Sequence, residues 1–186
     1  MEDPLRLFVA IDIPDKILKT LGDLIDKLRP TAPIRWSPLE NLHVTTKFIG
    51  WWPDERIGEV DASLRRLTGR EPIPVDIRGL GFFPNARSPR VFWAGVYGAE
   101  PLARLARDSD RALAALGVEP EKRAFSPHLT LARVKEPVPL ERLHSAIAGL
   151  RDSDFGSFTA DRFFLYQSRL RPSGSEYIKF AEYIFG

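Results

Sequence analysis

The chain has 186 residues, a length that suits one compact domain or two small lobes that share a core. Hydrophobic residues make up 44% of the sequence, which is enough to bury a core and is not the composition of a disordered chain. The formal net charge of +2 does not by itself indicate a nucleic-acid partner. The sequence contains no cysteine, which excludes disulfides, thiolate nucleophiles and cysteine-ligated zinc.

The N-terminal segment, residues 1–4, lacks the basic region that opens a signal peptide. No apolar run approaches the roughly 18 residues that a membrane-spanning helix needs. We therefore expect a cytoplasmic protein with no membrane contact. Nothing in the sequence requires a protein partner, so a monomer is the default expectation.

The predicted elements repeat along the chain. Segment 6–13 is short, apolar and rich in β-forming residues, and it resembles segment 90–97. Each is followed by apolar residues at helical spacing, in segments 17–28 and 102–116. The first half of each repeat therefore predicts a strand followed by an amphipathic helix.

Each predicted helix leads to a strand that opens with a histidine, His43 in one repeat and His128 in the other. Ala10 precedes His43 by 33 residues, and Ala94 precedes His128 by 34. The matched order and spacing indicate an internal duplication.

The pattern continues past both histidines. It predicts helices at 54–68 and 139–150, strands at 73–81 and 157–166, and returning strands at 91–97 and 177–184 after turn-rich stretches. Strands joined by such hairpins are antiparallel, so the predicted fold class is α+β. In it, duplicated β-α-β-α-β halves form two pseudo-symmetric lobes with antiparallel sheets around a central cleft. We expect a single two-lobed domain over residues 1–186, with repeats at roughly 6–83 and 90–166 and with the C-terminal hairpin 157–184 completing the sheets.

Both histidines belong to a His-x-Thr motif. Side chains at positions i and i+2 of a strand project to the same face, so His43 projects with Thr45 and His128 projects with Thr130. If the two halves pack about a pseudo-two-fold axis, two imidazoles and two hydroxyls meet in one cleft. Strict alternation also places Lys47 on that face.

This set of side chains suits cleavage of a phosphodiester. One imidazole can take a proton from water and the other can give one to the departing oxygen, because the ordinary pKa of histidine is about 6.5. The hydroxyls of Thr45 and Thr130 can donate to phosphate oxygens. A single His-x-Thr on a strand is usually structural, but here two of the chain's three histidines occupy matched places in a duplication.

Metal binding is the competing use of the two histidines. No Asp or Glu lies inside either motif, and no His-x-x-x-His spacing occurs, so we expect no metal site. The sequence also lacks a Gly-x-Ser-x-Gly nucleophile signature and a glycine-rich phosphate loop. We accordingly expect no cofactor.

The motifs and their contexts resemble the 2H phosphoesterase superfamily, and in particular the RNA 2′,3′-cyclic phosphodiesterases formerly called 2′-5′ RNA ligases. The resemblance extends over essentially the whole chain, and it is carried by five segments. These are residues 6–11, 35–50, 82–93, 125–133 and 165–177.

The resemblance implies hydrolysis of a 2′,3′-cyclic phosphate on RNA or a nucleotide to a 2′-phosphate, without metal or ATP, and a reverse 2′-5′ ligation detectable in vitro. It implies that His43 is the proton donor and His128 the proton acceptor. It assigns substrate binding to Thr45, Thr130 and an arginine matched here by Arg133. Phe48 matches an aromatic position and is a candidate contact for a nucleobase.

Two features stay open in the sequence. Arg133 stands five residues after His128, so perfect alternation points it away from the cleft. It must lie past the strand end, beside a β-bulge, or reach around. The adjacent residues Trp51 and Trp52 depart from the family pattern, and they are either a cap over the core or a stacking platform at the cleft rim.

Two alternative functions are compatible with the same residues. One is another 2H cyclic phosphodiesterase with a different nucleotide substrate. The other is a non-catalytic RNA-end binding protein, although pure binding does not require intact His and Thr in both motifs.

Overall fold

A computed structural model describes residues 4–186 of the chain. The described residues form two sheets with helices packed against them. In chain order the elements are β1 (Leu5–Asp12), α1 (Asp15–Leu28), β2 (Arg35–Trp36), β3 (His43–Trp52), α2 (Ile57–Arg65), β4 (Ile73–Phe83), β5 (Val91–Tyr97), α3 (Ala99–Ala114), β6 (His128–Arg133), α4 (Glu141–Ile147), β7 (Asp154–Ala160), β8 (Arg162–Arg171) and β9 (Gly174–Ile184).

The strands form one four-stranded and one five-stranded sheet. The first sheet has the order β3-β1-β8-β9, and the second has the order β2-β6-β5-β4-β7. Every neighbouring pair of strands is antiparallel. The predicted α+β class with antiparallel sheets is therefore confirmed.

The two sheets do not correspond to the two halves of the sequence. Strand β4 belongs to the first half of the chain but pairs with β5 and β7 in the second sheet. The single strand predicted at 157–166 is wrong, because the chain ends β7 at Ala160 and starts β8 at Arg162 in the other sheet. The exposed Asp161 between them marks the change of sheet. The single domain over 1–186 with repeats at 6–83 and 90–166 stays a prediction, and residues 1–3 lie outside the described range.

The helices join the outer faces of both sheets into one core. The buried residues of α1 recur at three- and four-residue spacing, as an amphipathic helix requires. Helix α1 packs against β7 of the five-stranded sheet, and helix α3 packs against β3 of the four-stranded sheet and β4 of the five-stranded sheet. This packing ties the two sheets together and leaves their opposite faces free to line a cleft. Within residues 4–186, no helix combines the length and apolar character that a membrane crossing demands.

Candidate active site

A cleft of about 1300 Å³ lies between the inner faces of the two sheets. It contains all six side chains that the sequence nominated: His43, Thr45, Phe48, His128, Thr130 and Arg133. Strand β3 supplies the first three from one sheet, and strand β6 supplies the others from the second sheet. The duplicated motifs therefore face one another across a common space.

A β-bulge in β3 decides which side chains reach the cleft. Ala10 of β1 pairs with Thr45, but the next residue, Val9, pairs with Lys47, so Thr46 is the extra residue. An extra residue reverses the alternation of the strand beyond it. Phe48 consequently faces the cleft and is 46% exposed.

Strand β6 contains the matching bulge. Trp93 of β5 pairs with Thr130 and Phe92 pairs with Ala132, which leaves Leu131 as the extra residue. Arg133 is thereby rotated to the cleft side. Of the three explanations that the sequence left open for Arg133, the structure supports the bulge.

The bulge in β3 also overturns the expectation for Lys47. Its side chain is buried on the core side of the strand, where Nζ lies 2.6 Å from Oδ1 of Asp110 and donates to the carbonyl oxygen of Glu119 at 2.8 Å. Lys47 therefore anchors α3 and the loop that follows it, and it offers no charge to the cleft. Alternation predicted the wrong face because the extra residue, Thr46, carries no bulge signal in the sequence.

The His43 ring is enclosed by aromatic side chains. It stacks on Phe8 at 4.7 Å between ring centroids, and Tyr177 meets it edge-on at 5.0 Å. This burial lowers the pKa of His43 to about 4, and a hydrogen bond to the Asn41 backbone only partly opposes the effect. The nearby carboxylate of Asp12 also raises the pKa, but less. In the free protein His43 is thus neutral at pH 7.

Asp12 is itself held by two partners. It accepts a hydrogen bond from the Tyr166 hydroxyl and forms an ion pair with Lys179 Nζ. Burial, together with the hydrogen bond to Asp12, raises the pKa of the Tyr166 phenol well above its usual value, so Tyr166 remains a donor. Asp12 also pairs with His43 across the β1–β3 ladder, which fixes this negative charge beside the ring.

The His128 ring has a different surrounding. Its Nδ1 lies 2.8 Å from the carbonyl oxygen of Ser126, so Nδ1 carries the hydrogen and Nε2 keeps its lone pair. Phe83 meets the ring edge-on at 5.0 Å. Burial lowers the pKa of His128 below its usual value, and the positive charge of Arg133 adds to this effect, while the Ser126 bond opposes it.

Sequence reasoning missed several side chains that line the same cleft. Arg6 and Phe8 come from β1, and Tyr177 comes from β9. They lie in segments that carry the family resemblance, but no chemical motif singled them out. Only the pairing of β1 with both β3 and β8 places these segments beside His43.

The tip of the β8–β9 hairpin reaches the opposite wall of the cleft. Arg35 donates to the carbonyl oxygen of Ser173 at 3.3 Å, and the Asn41 amide donates to the carbonyl oxygen of Ser175 at 2.8 Å. The hairpin tip, residues 170–177, therefore forms one side of the site.

Of the adjacent tryptophans, only Trp52 meets one of the two interpretations that the sequence left open. Trp52 is only 6% exposed and belongs to the core, so it is a cap. Trp51 is 62% exposed. Within residues 4–186 no group of three or more His, Cys, Asp or Glu side chains is arranged to hold a metal ion.

Two antiparallel sheets that each present a His-x-Thr strand to one cleft define a protein of the 2H phosphoesterase class. The family model of the 2′-5′ RNA ligase superfamily matches residues 13–171. The chain therefore belongs to the 2′-5′ RNA ligase superfamily.

Relatives and solved structures agree with this membership. The chain is 35% identical over 173 residues to the RNA 2′,3′-cyclic phosphodiesterase of Methanocaldococcus jannaschii, covering 93% of this chain and 96% of the relative. It is 34% identical over 178 residues to the protein of that name from Thermotoga maritima, covering 93% and 91%. The crystal structure of TT0787 from Thermus thermophilus matches with a TM-score of 0.83 at 30% identity, covering 97% of this chain and 98% of that one. E. coli LigT in complex with 3′-AMP matches with a TM-score of 0.79 at 25% identity, covering 98% of each chain.

Proposed function

We propose that this protein is an RNA 2′,3′-cyclic phosphodiesterase that hydrolyses the cyclic phosphate at an RNA or nucleotide end to a 2′-phosphate. The observation that carries the proposal is the meeting of two imidazoles and two threonine hydroxyls, from duplicated strands, in one cleft. The names of the relatives at 34–35% identity over nearly the whole chain support the substrate class. The 3′-AMP bound to the E. coli protein supports a nucleotide-sized site.

His128 takes the proton from the attacking water. A base must present a free lone pair, and the bond from Nδ1 to the Ser126 carbonyl leaves the lone pair on Nε2, at the other side of the ring. The new bond forms between the water oxygen and phosphorus. The ring keeps its neutral form at pH 7 because its pKa lies below the usual value.

His43 gives a proton to the oxygen that leaves. The bond between phosphorus and O3′ breaks in line with the attack, and the proton of the His43 imidazolium neutralises the departing O3′. The low pKa of His43 in the free protein is set first by burial. The anionic cyclic phosphate raises that pKa when it binds, because an opposite charge favours the imidazolium. The next cycle begins when His128 returns its proton to solvent and His43 is protonated again.

Thr45 and Thr130 hold the non-bridging phosphate oxygens through their hydroxyls. Each projects to the same side as its histidine, two residues along the strand. Arg133 adds a charge-assisted contact to the phosphate, where negative charge increases during attack. None of these steps uses a metal ion or ATP.

Phe48 and Arg133 orient the nucleotide. They occupy equivalent positions, five residues after the two histidines, so one histidine strand contributes an aromatic face to the cleft and the other contributes a cation. A base that stacks on Phe48 places one ester oxygen beside His43 in every bound complex. Ligation in vitro uses the same two roles, with a 5′-hydroxyl in the place of water. His128 takes the proton of that hydroxyl as its oxygen bonds to phosphorus, and His43 protonates O3′ as the bond between phosphorus and O3′ breaks, which leaves a 2′-5′ linkage.

The experiment is digestion of a 2′,3′-cyclic mononucleotide, with the 2′- and 3′-monophosphates resolved by chromatography or phosphorus NMR. Pure 2′-monophosphate is expected, unchanged after exhaustive dialysis against EDTA. A pure 3′ product would exchange the acid and base roles of His43 and His128, and a near-equal mixture would remove the orienting roles of Phe48 and Arg133. No turnover would leave a protein that only binds RNA ends, and loss of turnover with EDTA, restored by a divalent metal, would make the site a metal centre.

A further inference from the structure

The outer end of the cleft carries an unusual share of exposed apolar surface. Within residues 4–186, six large hydrophobic side chains are exposed. Phe48 and Leu170 line the cleft, and Trp51 is the strand partner of the cleft residue Arg6. Trp51 is the largest of the three and is 62% exposed, so it contributes little to the core. The proposed chemistry at the two histidines does not involve it.

The strand register places Trp51 on the cleft side of its sheet. Leu5 pairs with the buried Trp52 on the core side, and Arg6 pairs with Trp51 on the opposite side. Arg6 itself lines the cleft. A second bulge at Ile49 keeps Phe48 on the same side, so Phe48 and Trp51 follow one another along the inner face of β3.

Arg6 lies over the Phe48 ring and is the strand partner of Trp51. Its guanidinium is 4.9 Å from the centroid of the Phe48 ring, and Nη1 donates to Oγ of Ser168 at 3.2 Å. These contacts hold the cation against Phe48, and the pairing of β1 with β3 places Arg6 and Trp51 opposite one another on the same face. We call Arg6, Phe48 and Trp51 the outer platform.

Aromatic faces combined with a cation along a groove are how proteins bind single-stranded RNA without reading its sequence. We propose that Trp51 and Arg6 of the outer platform bind the nucleotide that precedes the terminal one, with its base stacked on Trp51. This rests on the proposed function, which places the terminal base on Phe48. The protein then acts on the ends of RNA chains in preference to cyclic mononucleotides.

The chemistry of the substrate limits where the rest of the RNA can go. A 2′,3′-cyclic phosphate is the 3′ end of its strand, so the chain continues only from the 5′ side of the terminal nucleotide. One exit leads past Phe48 to Trp51. The other is a groove of about 430 Å³ that shares Lys135 with the cleft and contains Arg87 and Arg90. Its cations, Arg87, Arg90 and Lys135, are partly offset by Glu136 and Glu141, and its walls carry no Phe, Tyr or Trp on which a base can stack.

The test compares two substrates with each variant: a 2′,3′-cyclic mononucleotide, and a tetranucleotide that ends in the same cyclic phosphate. Trp51→Ala is expected to lower kcat/KM for the tetranucleotide by about 5- to 100-fold, the loss that follows removal of one stacked base. Turnover of the mononucleotide should stay at the wild-type value. Trp51→Phe, which keeps a ring, should retain most of the preference for the tetranucleotide.

Two control variants separate the platform from general effects and from the other exit. Phe180 is another exposed aromatic residue, 47% exposed on β9 and outside the cleft, so Phe180→Ala should leave both substrates unaffected. Arg90→Ala tests the second groove. An equal loss on both substrates in Trp51→Ala would overturn the proposal, and so would a tetranucleotide-specific loss in Arg90→Ala with none in Trp51→Ala.

A binding measurement keeps the inference independent of turnover. A tetranucleotide that ends in a 2′-phosphate should quench tryptophan fluorescence. Trp93 pairs with Thr130 and Trp36 lines the cleft, so the part due to Trp51 is the difference between the wild type and Trp51→Phe. Trp51→Phe should lose the larger part of the quenching while binding persists. If the wild type hydrolyses no cyclic phosphate but shows this Trp51-dependent quenching, the proposed function fails and the platform stands. Equal quenching in the wild type and in Trp51→Phe overturns the platform.

Discussion

The two histidine strands are alike in backbone and unlike in surroundings. Counting from each histidine, the next residue is fully buried (Val44 and Leu129), and the residue after it is a cleft threonine. The third residue forms the bulge, and the fourth is buried against the core. Only the fifth position differs in chemistry at the cleft, with Phe48 on one strand and Arg133 on the other.

The rings themselves also differ. His43 lies in an aromatic enclosure, with the carboxylate of Asp12 beside it, whereas His128 meets the edge of a single phenylalanine and has a hydrogen bond to Ser126; the positive charge of Arg133 acts on both rings. In the proposed mechanism the two His-x-Thr strands supply two proton-transfer groups of the same kind, and the neighbours of the two rings make them inequivalent. A symmetrical pair can cleave either ester of a cyclic phosphate. The residues around the two rings are therefore what can direct cleavage to one of the two esters.

The largest expected effect tests whether the two strands work as one unit. His43→Ala and His128→Ala should each lower kcat by about 10²- to 10⁴-fold, because each removes one proton-transfer role. The double variant should be little worse than the poorer single variant, since either loss already stops the concerted reaction. Steady-state kinetics on a cyclic mononucleotide measure this, and thermal unfolding checks that the fold is kept.

Additive losses in the double variant would contradict the paired roles. Near wild-type activity in either single variant would show that only one strand is catalytic. His144→Ala is the matched control, because the third histidine lies outside the main cleft and should leave turnover unchanged.

Most of the geometry of the two histidine strands follows from local sequence signals. The apolar periodicity of α1 and the β-rich segments around His43 and His128 predict the elements, and the i, i+2 rule predicts which threonines accompany the histidines. The repeated order predicts that the two motifs share a cleft. These signals are strong because each rests on several residues at once.

The remainder depends on pairing between distant strands. The bulges at Thr46 and Leu131 exist only relative to the partner strands β1 and β5, so alternation misplaced Lys47 and left Arg133 unexplained. The change of sheet after Ala160 is equally invisible, because residues 157–166 are apolar enough to suggest one strand. The β9 side of the His43 enclosure likewise depends on the pairing of β9 with β8.

The second effect tests the cation on the His128 side. Arg133→Ala should lower kcat/KM by about 10- to 100-fold, because the variant loses a charge-assisted contact to the phosphate during attack. Arg133→Lys should recover part of the loss, since it keeps the charge but not the planar fork. Lys135→Ala is the control, as an exposed cation at the cleft rim two residues further along the chain. If both alanine variants lose activity equally, the positive charge of the cleft as a whole accounts for the effect, and Arg133 makes no specific contact to the phosphate.

The third effect concerns the two pKa values. Activity at low substrate should rise with pH as His128 loses its proton, below pH 6.5, and should fall as pH rises through the pKa of His43, about 4 in the free protein. The kcat/KM profile is therefore a bell with its maximum on the acidic side of pH 6.5. The kcat maximum should lie at higher pH, because the bound anion raises both pKa values. A single sigmoid through the neutral range would mean that one histidine alone titrates in the reaction.

Opening the aromatic enclosure should shift this profile in a known direction. Tyr177→Leu admits water to His43 and raises its pKa towards 6.5, by about one unit. The pH at which kcat/KM is greatest therefore rises. Phe83→Leu should raise the pKa of His128 in the same way, and it serves as the matched variant for the second histidine. NMR titration of the two rings measures each pKa directly. An unchanged His43 pKa in Tyr177→Leu would mean that the stacked rings of Phe8 and Tyr166 account for the burial.

The smallest effect is expected at Phe48, and it separates binding from orientation. The ring is 46% exposed, so Phe48→Ala should barely change the thermal unfolding temperature. Loss of a stacked base should raise KM about five- to tenfold, while kcat falls by no more than about twofold. Some 3′-monophosphate should then appear, because the base no longer fixes which ester oxygen lies beside His43. Phe48→Tyr should restore both KM and the pure 2′ product. A lower kcat at constant KM would mean that Phe48 acts only in the transition state, and an unaltered product would leave the choice of ester to Arg133.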